Sequence, residues 1–365
     1  MTVNPNSICK IKIIVTLKCE MPKSDSIYVS GNLLEIGDWN PAGKKLQQSV
    51  DGTYYYEFNA RMGSLVRFKL TRGTWKTQAI CDENDIPPND LVIKVNKSKD
   101  VKVEILEWMD KRPIISDPVV GKLISFDIFE CKGLNYKRPI MVWFPDSYSE
   151  KSEPNAVIYM HDGQNLFEPQ ASFGGCDWKV DETITKLLAN KEIKNCIVVG
   201  IPNSPDRMKE LNLESNLGKA YAEFVINEVM PFINGKFNTS KKAEDNVIAG
   251  SSMGGLMSFQ MAIEYPKIFG KAACFSSAFP HTFSQIMGKV SKASDLPFES
   301  KIYIDTGGNE EPITTSYKEM LELLKKKGFV EGKNLMGYLD EDAIHTESAW
   351  AKRFDIPMKF LLGTR

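Results

Sequence analysis

The chain has 365 residues, enough for two domains, and a formal net charge of −1, which gives no electrostatic basis for binding nucleic acid or an anionic membrane surface. No apolar run approaches the ~18 residues of a membrane span, and the first residues lack the pattern of a signal peptide. The seven cysteines are scattered without CxxC spacing, which predicts reduced thiols in a soluble, cytoplasmic protein.

The first hundred residues alternate between apolar and polar side chains. In "KIKIIVTLK" the residues Ile11, Ile13 and Val15 fall on one face and lysines on the other. Further runs of this kind, among them "SIYVSG", "TYYYEFNA" and "LVRFKLTRG", follow at short intervals. This pattern predicts a small antiparallel β-sandwich over residues 1–108.

The pattern of apolar and polar residues changes after residue 108. Residues 109–119 contain two prolines and no periodicity, which predicts a linker. From residue 120 to 365, short apolar runs such as "NAVIYMH" and "NCIVVGI" alternate with helical stretches. This alternation predicts a mostly parallel sheet flanked by helices, with its functional residues at the carboxyl ends of the strands.

The stretch "NVIAGSSMGGLMSFQMAIEYP" combines a strand, a bend of small residues and a helix. Its bend fits the pattern G-x-S-x-G, with Ser252 at the centre. In hydrolases this pattern presents a nucleophilic serine at the tip of a strained turn. A tight strand-to-helix turn without chemistry is the alternative, because glycine and serine are common in such turns.

The chain offers three histidines as a base for this serine. In enzymes with this elbow the chain order is serine, acid, histidine. His161 precedes Ser252, and His281 follows it by one strand, which leaves no later strand to carry the acid. His345 follows the last predicted strand and precedes the final helix, and we expect it to be the base.

The acid is expected in the loop after the strand "KIYID". Glu310 follows "TGGN", whose glycines let the loop turn back toward the histidine, and it is the favoured candidate. Asp305, at the strand end, is the second candidate.

An oxyanion hole in such an enzyme combines two backbone N–H groups. We expect one from Met253, directly after the serine, and one from Gly163 or Gln164 in "YMHDGQNLF". His161 is interpreted as a loop or packing residue, because no second ligand recurs at metal-binding spacing. No metal and no organic cofactor is expected.

Several motifs in this half occur together in one family. "YMHDGQNLF", "VVGIPNSPDR", "AGSSMGGLMSFQMAIEYPKIFG", "YIDTGGNE" and "HTESAWAKR" come in this order. Over residues 120–362 the chain resembles the putative-esterase family of α/β-hydrolases, which includes feruloyl, acetyl-xylan and enterochelin esterases and esterase D. The resemblance implies an α/β-hydrolase domain and maps the acid onto Glu310, where the family more often has aspartate. The family also includes mycolyltransferases.

Two tryptophans in the front half lie among residues that form turns. Trp39 is followed by Asn-Pro, and Trp75 follows Gly-Thr. An exposed aromatic ring with polar groups around it suits the face of a sugar ring. The alternative is that both tryptophans are core residues of the sandwich.

The order of these pieces resembles the family 20 carbohydrate-binding module, a starch-binding domain, over residues 8–108. Its best part is "GNLLEIGDWNP". By this resemblance the principal glucan site falls on Trp39, Lys69 and Trp75, and residues 54–56 are loose candidates for a second site.

Taken together, the sequence predicts a serine carboxylic-ester hydrolase that its front module targets to an α-glucan such as starch or glycogen. Its substrate would be a small or sugar-borne acyl ester. A catalytically inactive glucan-binding scaffold and an acyltransferase on the same fold are the alternatives.

Overall fold

The computed structural model describes residues 7–83, 88, 90–112, 118–129 and 131–364. The chain divides into two compact units, the first comprising Met1–Ile115 with Phe173–Cys176 and the second the remainder. This division falls inside the predicted linker, but Met109–Lys111 forms a 3₁₀ helix and Met109 is buried. The predicted boundaries also place Phe173–Cys176 in the second domain, whereas this segment packs with the first unit. No helix in the described ranges is both long and apolar enough to cross a bilayer.

The first unit is built from short strands. They are β1 Ile8–Leu17, β2 Tyr28–Gly31, β3 Lys44–Lys45, β4 Gln47–Gln48, β5 Tyr54–Arg61, β6 Leu65–Thr71, β7 Ala79–Ile80, β8 Leu91–Lys94, β9 Lys99–Ile105 and β10 Glu107–Trp108. Two four-stranded sheets run in the orders β4-β5-β1-β9 and β3-β2-β6-β8. Apolar side chains from both sheets, including Ile13, Val29 and Phe68, form one core.

The sandwich is not wholly antiparallel. Strand β1 pairs antiparallel with β5 but parallel with β9. The predicted antiparallel arrangement is therefore wrong at this pair. Alternation of side chains indicates which face of a strand is buried, but it carries no information on the direction of a neighbouring strand.

The second unit is centred on one eight-stranded sheet, in the order β11-β12-β14-β13-β15-β16-β17-β18. Its strands are β11 Lys122–Phe129, β12 Arg138–Phe144, β13 Ala156–His161, β14 Cys196–Ile201, β15 Asn246–Ser251, β16 Lys271–Phe275, β17 Lys301–Gly307 and β18 Leu335–Asp340. At one edge of the sheet, β12 pairs antiparallel with both of its neighbours, β11 and β14. All other neighbouring strands, from β14 and β13 across to β18, pair parallel.

Helices cover both faces of this sheet, because two separate apolar cores pack against it. They are α1 Val180–Ala189, α2 Arg207–Glu210, α3 Asn216–Phe224, α4 Met230–Lys236, α5 Met253–Glu264, α6 Ile286–Lys292, α7 Ile313–Lys327, α8 Glu347–Arg353 and α9 Asp355–Leu362. A π-helical turn, Val225–Val229, joins α3 to α4.

Two helices that look continuous in the sequence are interrupted. Pro231 follows the π-helical turn, and a proline inside a helix lacks an N–H donor and clashes with the carbonyl of the residue four positions earlier. The final helix is divided into α8 and α9, which meet around Phe354. Pro357 lies four residues after Arg353, so the same clash explains why one helix ends there and another begins.

Candidate active site

The predicted nucleophile lies at a sharp bend between β15 and α5. Ser252 has φ 56° and ψ −117°, a strained conformation for a residue with a side chain. Its N–H donates to the Phe275 carbonyl at 2.9 Å, and its carbonyl accepts from Leu256. A Cβ at Gly250 would lie 2.9 Å from the carbonyl carbon of Gly254, so the helix approaches the strand this closely because residue 250 is glycine.

The two serines of the elbow differ in exposure. Ser251 is buried as the last residue of β15, with 4% of its surface exposed, whereas Ser252 is partly exposed. The structure therefore presents Ser252 and encloses Ser251 in the sheet.

The imidazole of His345 lies after β18 and contacts Glu310, which follows β17. His345 Nδ1 and Glu310 Oε2 are 2.8 Å apart. The Trp350 ring and the imidazole pack in a T-shaped arrangement, with a centroid distance of 4.9 Å and an interplanar angle of 86°. A proton on Nδ1 donates to the carboxylate and leaves Nε2 as the acceptor that a general base requires.

Glu310 is buried, yet it is stabilised as a carboxylate. Its Oε1 accepts from Ser276 Oγ and from the Gly307 N–H, each at 2.9 Å. Burial alone raises the pKa of Glu310, but the charge and hydrogen bond of His345, with smaller contributions from Ser276 and Arg353, outweigh it. The pKa of Glu310 is therefore below its ordinary value.

Asp305, the second candidate for the acid, is engaged elsewhere. Its carboxylate accepts from Arg353 at 2.8 and 3.2 Å, from Tyr303 at 2.8 Å and from the Ser276 N–H at 2.9 Å. Burial raises the pKa of Asp305 in spite of the Arg353 charge. The geometry favours Glu310 over Asp305 as the partner of the histidine.

Ser252, Glu310 and His345 follow β15, β17 and β18, whose carboxyl ends lie at the same edge of the sheet. Among the described residues, no hydrogen bond joins Ser252 Oγ to His345. In unliganded hydrolases this contact is often long and shortens when substrate binds.

The predicted oxyanion donors lie on two segments that pack together. Met253 begins α5, so its N–H is free of the helical hydrogen-bond pattern. Gly163 and Gln164 lie in the 3₁₀ helix Gly163–Asn165, directly after β13. A Cβ at Gly254 would lie 3.3 Å from Asp162 Oδ2, which shows how closely the first turn of α5 approaches this loop.

A charged network holds the loop after β13. Asp162, at φ 56°, accepts from Arg207 Nε and Nη2 and from Asn203 Nδ2, each at 2.7 Å. Burial raises the pKa of Asp162, but the charge and hydrogen bonds of Arg207 outweigh it and lower the pKa below its ordinary value. The loop that would supply an oxyanion donor is thus tied to the segment after β14.

The other two histidines have no contact with Ser252 or Glu310 in the described part of the chain. His161 is buried, its Nδ1 lies 2.8 Å from Tyr221 Oη, and burial lowers its pKa to about 4. A histidine with this pKa is neutral at physiological pH, as expected of a packing residue. His281 is exposed.

Three carboxylates at the start of α1 are, among the described residues, the group that could hold a metal ion. One oxygen from each of Asp177, Asp181 and Glu182 lies within 4.8 Å of the others. Burial, together with the neighbouring Glu182, raises the pKa of Asp181 to about 7. A shared proton satisfies two such carboxylates as well as a cation does.

In the first unit, the three residues predicted to bind glucan differ in exposure and contacts. Trp39 is partly exposed at φ 58°, and Trp75 is partly exposed but packs edge-on against Phe173 at 5.7 Å. The loops that carry them are adjacent, because Thr71 Oγ1 donates to the Pro41 carbonyl. Lys69 is only 13% exposed, and its ammonium contacts the Pro88 carbonyl and Asp90. These contacts hold the Lys69 ammonium against that segment.

Sequence reasoning missed the residues that surround the site. Ser276, Trp350, Arg353 and the Asp162–Arg207 pair carry no pattern of their own. The one available signal was that all of them except Ser276 fall in motifs that carry the family resemblance: Asp162 in "YMHDGQNLF", Arg207 in "VVGIPNSPDR", and Trp350 and Arg353 in "HTESAWAKR".

Curated relatives of this chain include uncharacterised proteins and one protein named as an esterase. YjcH of Bacillus subtilis, whose function is uncharacterised, is 25% identical over 211 residues, which are 54% of this chain and 82% of that protein. An endo-1,4-beta-xylanase/feruloyl esterase of Xylanibacter ruminicola is 23% identical over 222 residues, covering 58% of this chain and 27% of that protein.

Solved structures share the fold at low sequence identity. A ferulic acid esterase superposes with a TM-score of 0.54 at 18% identity, over 67% of this chain and 99% of its own. The enterochelin esterase of Shigella flexneri gives a TM-score of 0.57 at 14% identity, over 92% and 87%. The fold is therefore an α/β-hydrolase-like domain with a β-rich region before it.

The family described as "Putative esterase" matches residues 131–360, more than half of the chain. This range contains the elbow serine, the buried glutamate and the histidine that it contacts. The chain belongs to this esterase family and is a carboxylic ester hydrolase.

Proposed function

We propose that this protein hydrolyses carboxylic esters through a triad of Ser252, His345 and Glu310. Ser252 Oγ attacks the ester carbonyl while His345 Nε2 takes its proton. The Met253 N–H, with that of Gly163 or Gln164, stabilises the negative oxygen of the tetrahedral intermediate. His345 returns the proton to the departing alcohol, then activates water, whose attack on the acyl-serine releases the acid and restores Ser252.

The observation that carries the proposal is the contact between His345 Nδ1 and Glu310 Oε2 at 2.8 Å, at the same sheet edge as the strained serine. Glu310 is 2% exposed, so its charge acts on the imidazole with little screening by water. A carboxylate in this position selects the tautomer that leaves Nε2 unprotonated. It also stabilises the imidazolium that forms during the reaction.

Kinetics of single and double variants on a small chromogenic ester test this triad. We expect Ser252→Ala and His345→Ala each to lower kcat by about 10³-fold or more, and the double variant to be no worse than either alone, because the residues act as a unit. Ser251→Ala is the matched control and should keep kcat within a few-fold. Multiplicative losses in the double variant would contradict the triad.

We further propose that the first unit binds an α-glucan through an aromatic platform centred on Trp39. Its support is the partial exposure of Trp39 and the adjacency of the loop that carries Trp75. Since Lys69 is paired with Asp90, its contribution would be to hold the neighbouring backbone. A relative named as both xylanase and feruloyl esterase makes a sugar-borne acyl ester the substrate class to test first.

Acyl transfer is the second candidate reaction. The same acyl-serine can pass to an alcohol instead of water, and the motifs resemble a family that also contains transferases. Product analysis in the presence of maltooligosaccharide distinguishes the two: free acid supports hydrolysis, and acylated sugar supports transfer.

A further inference from the structure

Ser276 follows β16 directly and occupies a strained backbone position. Its φ is 40°, in the left-handed region that favours glycine, and its side chain is fully buried. A residue with a side chain at such a position costs of order 1–3 kcal/mol. Because glycine would adopt this backbone conformation without strain, we expect the Ser276 side chain to make a contact that glycine could not make.

Every hydrogen-bonding position of the Ser276 hydroxyl is occupied. Oγ accepts from Trp350 Nε1 and from Arg353 Nη2, each at 2.9 Å, and it lies 2.9 Å from Glu310 Oε1. A hydroxyl has one proton and two lone pairs. Because two N–H donors fill the lone pairs, the proton has one acceptor left, the carboxylate of Glu310.

Both donors to Ser276 lie on α8, the helix that begins directly after His345 and its Thr346 cap. Trp350 also packs against the imidazole of His345 in a T-shaped arrangement. The same helix therefore contacts His345 directly and reaches Glu310 through the Ser276 hydroxyl. The backbone of Ser276 is held as well, because its N–H donates to the Asp305 carboxylate.

We propose that Ser276 is a positioning residue that orients Glu310 toward His345 and couples the acid to helix α8, an inference that rests on the proposed triad. It touches no substrate. Its hydroxyl fixes Oε1, so that Oε2 remains directed at the imidazole through the catalytic cycle.

The test compares Ser276→Gly and Ser276→Ala with Ser277→Ala. Glycine removes the hydroxyl and relieves the strained φ, so activity is separated from folding, while alanine keeps the Cβ. Ser277 is the matched control, because it is also buried and its Oγ has no hydrogen-bond partner in the described part of the chain. We expect both Ser276 variants to lower kcat roughly 10-fold with KM within 2-fold, and Ser277→Ala to change neither.

The decisive measurement repeats these variants in a Glu310→Gln background. If Ser276 acts through Glu310, its loss should change kcat less than 2-fold there.

Equal losses in both backgrounds, or no loss in the wild type, would overturn the positioning role and leave the triad intact. A Glu310→Gln variant with wild-type kcat would instead overturn the proposed acid and this inference with it.

Discussion

Two buried carboxylates at or near the end of β17 have different partners. Glu310 faces an imidazole that is 27% exposed and can reach substrate, whereas Asp305 faces the buried guanidinium of Arg353. Because of these partners, we assign Glu310 to the proposed triad and expect Asp305 to contribute to stability.

Glu310→Gln should lower kcat by about 10²–10⁴-fold with little change in Tm, because an amide cannot stabilise the imidazolium and favours the wrong tautomer. Asp305→Asn should lower Tm with little change in kcat. It removes the buried counter-charge that Arg353 contacts most closely and leaves only Glu310, at 3.7 Å, at a cost of about 3–5 kcal/mol in the free energy of unfolding. Steady-state kinetics with calorimetry on both variants checks this, and the opposite ranking in folded proteins would assign the acid to Asp305.

At the scale of single residues, the sequence could point to the residues of the proposed triad but not to the side chains that contact them. Ser252 stands in a local pattern, and chain order selects His345 among three histidines. Ser276 and Arg353 become significant only because β16, β17 and α8 meet, and their partners lie 34 to 77 residues away along the chain.

The second residue of helix α1, Asp181, is buried, and burial disfavours its charged form. Asp181 accepts the Val120 N–H at 2.7 Å, and burial with Glu182 beside it raises its pKa to about 7. The ordinary pKa of aspartate is ~3.9. Between these two values the folded state binds more protons than the unfolded state, so this group makes stability fall as pH rises from about 4 to 7.

Asp181→Asn should therefore stabilise the protein at pH 8, by about 1–3 kcal/mol, and have almost no effect near pH 4. The amide oxygen can still accept from Val120. Calorimetry across this range tests the pH dependence, with the exposed Asp146→Asn as control. A stabilisation that is the same at every pH would show that the charge of Asp181 is not its cause.

Elements were predicted best where their pattern is continuous. Strands β13, β14 and β15 coincide with apolar runs of the sequence, because every residue of these strands is buried and strands buried on both faces are mostly apolar. The antiparallel edge, β11 and β12, was not anticipated, and neither was the parallel pairing of β1 with β9. Pairing direction depends on contacts between distant segments, which periodicity does not encode.

The division of the chain into two units suggests two separable tasks. If the first unit only binds glucan, residues there should affect attachment to a polymer without affecting hydrolysis of a small ester. Trp39 is its most informative position, because Trp75 already has an aromatic partner in Phe173.

Trp39→Ala in the full chain should weaken co-sedimentation with insoluble starch or glycogen by about 1–3 kcal/mol, by analogy with the loss of one aromatic stacking surface. Trp75→Ala should weaken binding to the polymer less than Trp39→Ala does. Tyr136→Ala, which removes an exposed aromatic ring from the second unit, is the control and should bind like the wild type. All three variants should hydrolyse a small soluble ester at the wild-type kcat/KM. Unchanged sedimentation of Trp39→Ala would contradict the glucan platform.

The most direct test of the central claim, ester hydrolysis through Ser252, is intact-protein mass spectrometry after reaction with a fluorophosphonate, followed by peptide mapping. We predict one adduct per chain, located on Ser252, with wild-type labelling in Ser251→Ala and none in Ser252→Ala. An unlabelled wild type, or an adduct that persists in Ser252→Ala, would contradict the account.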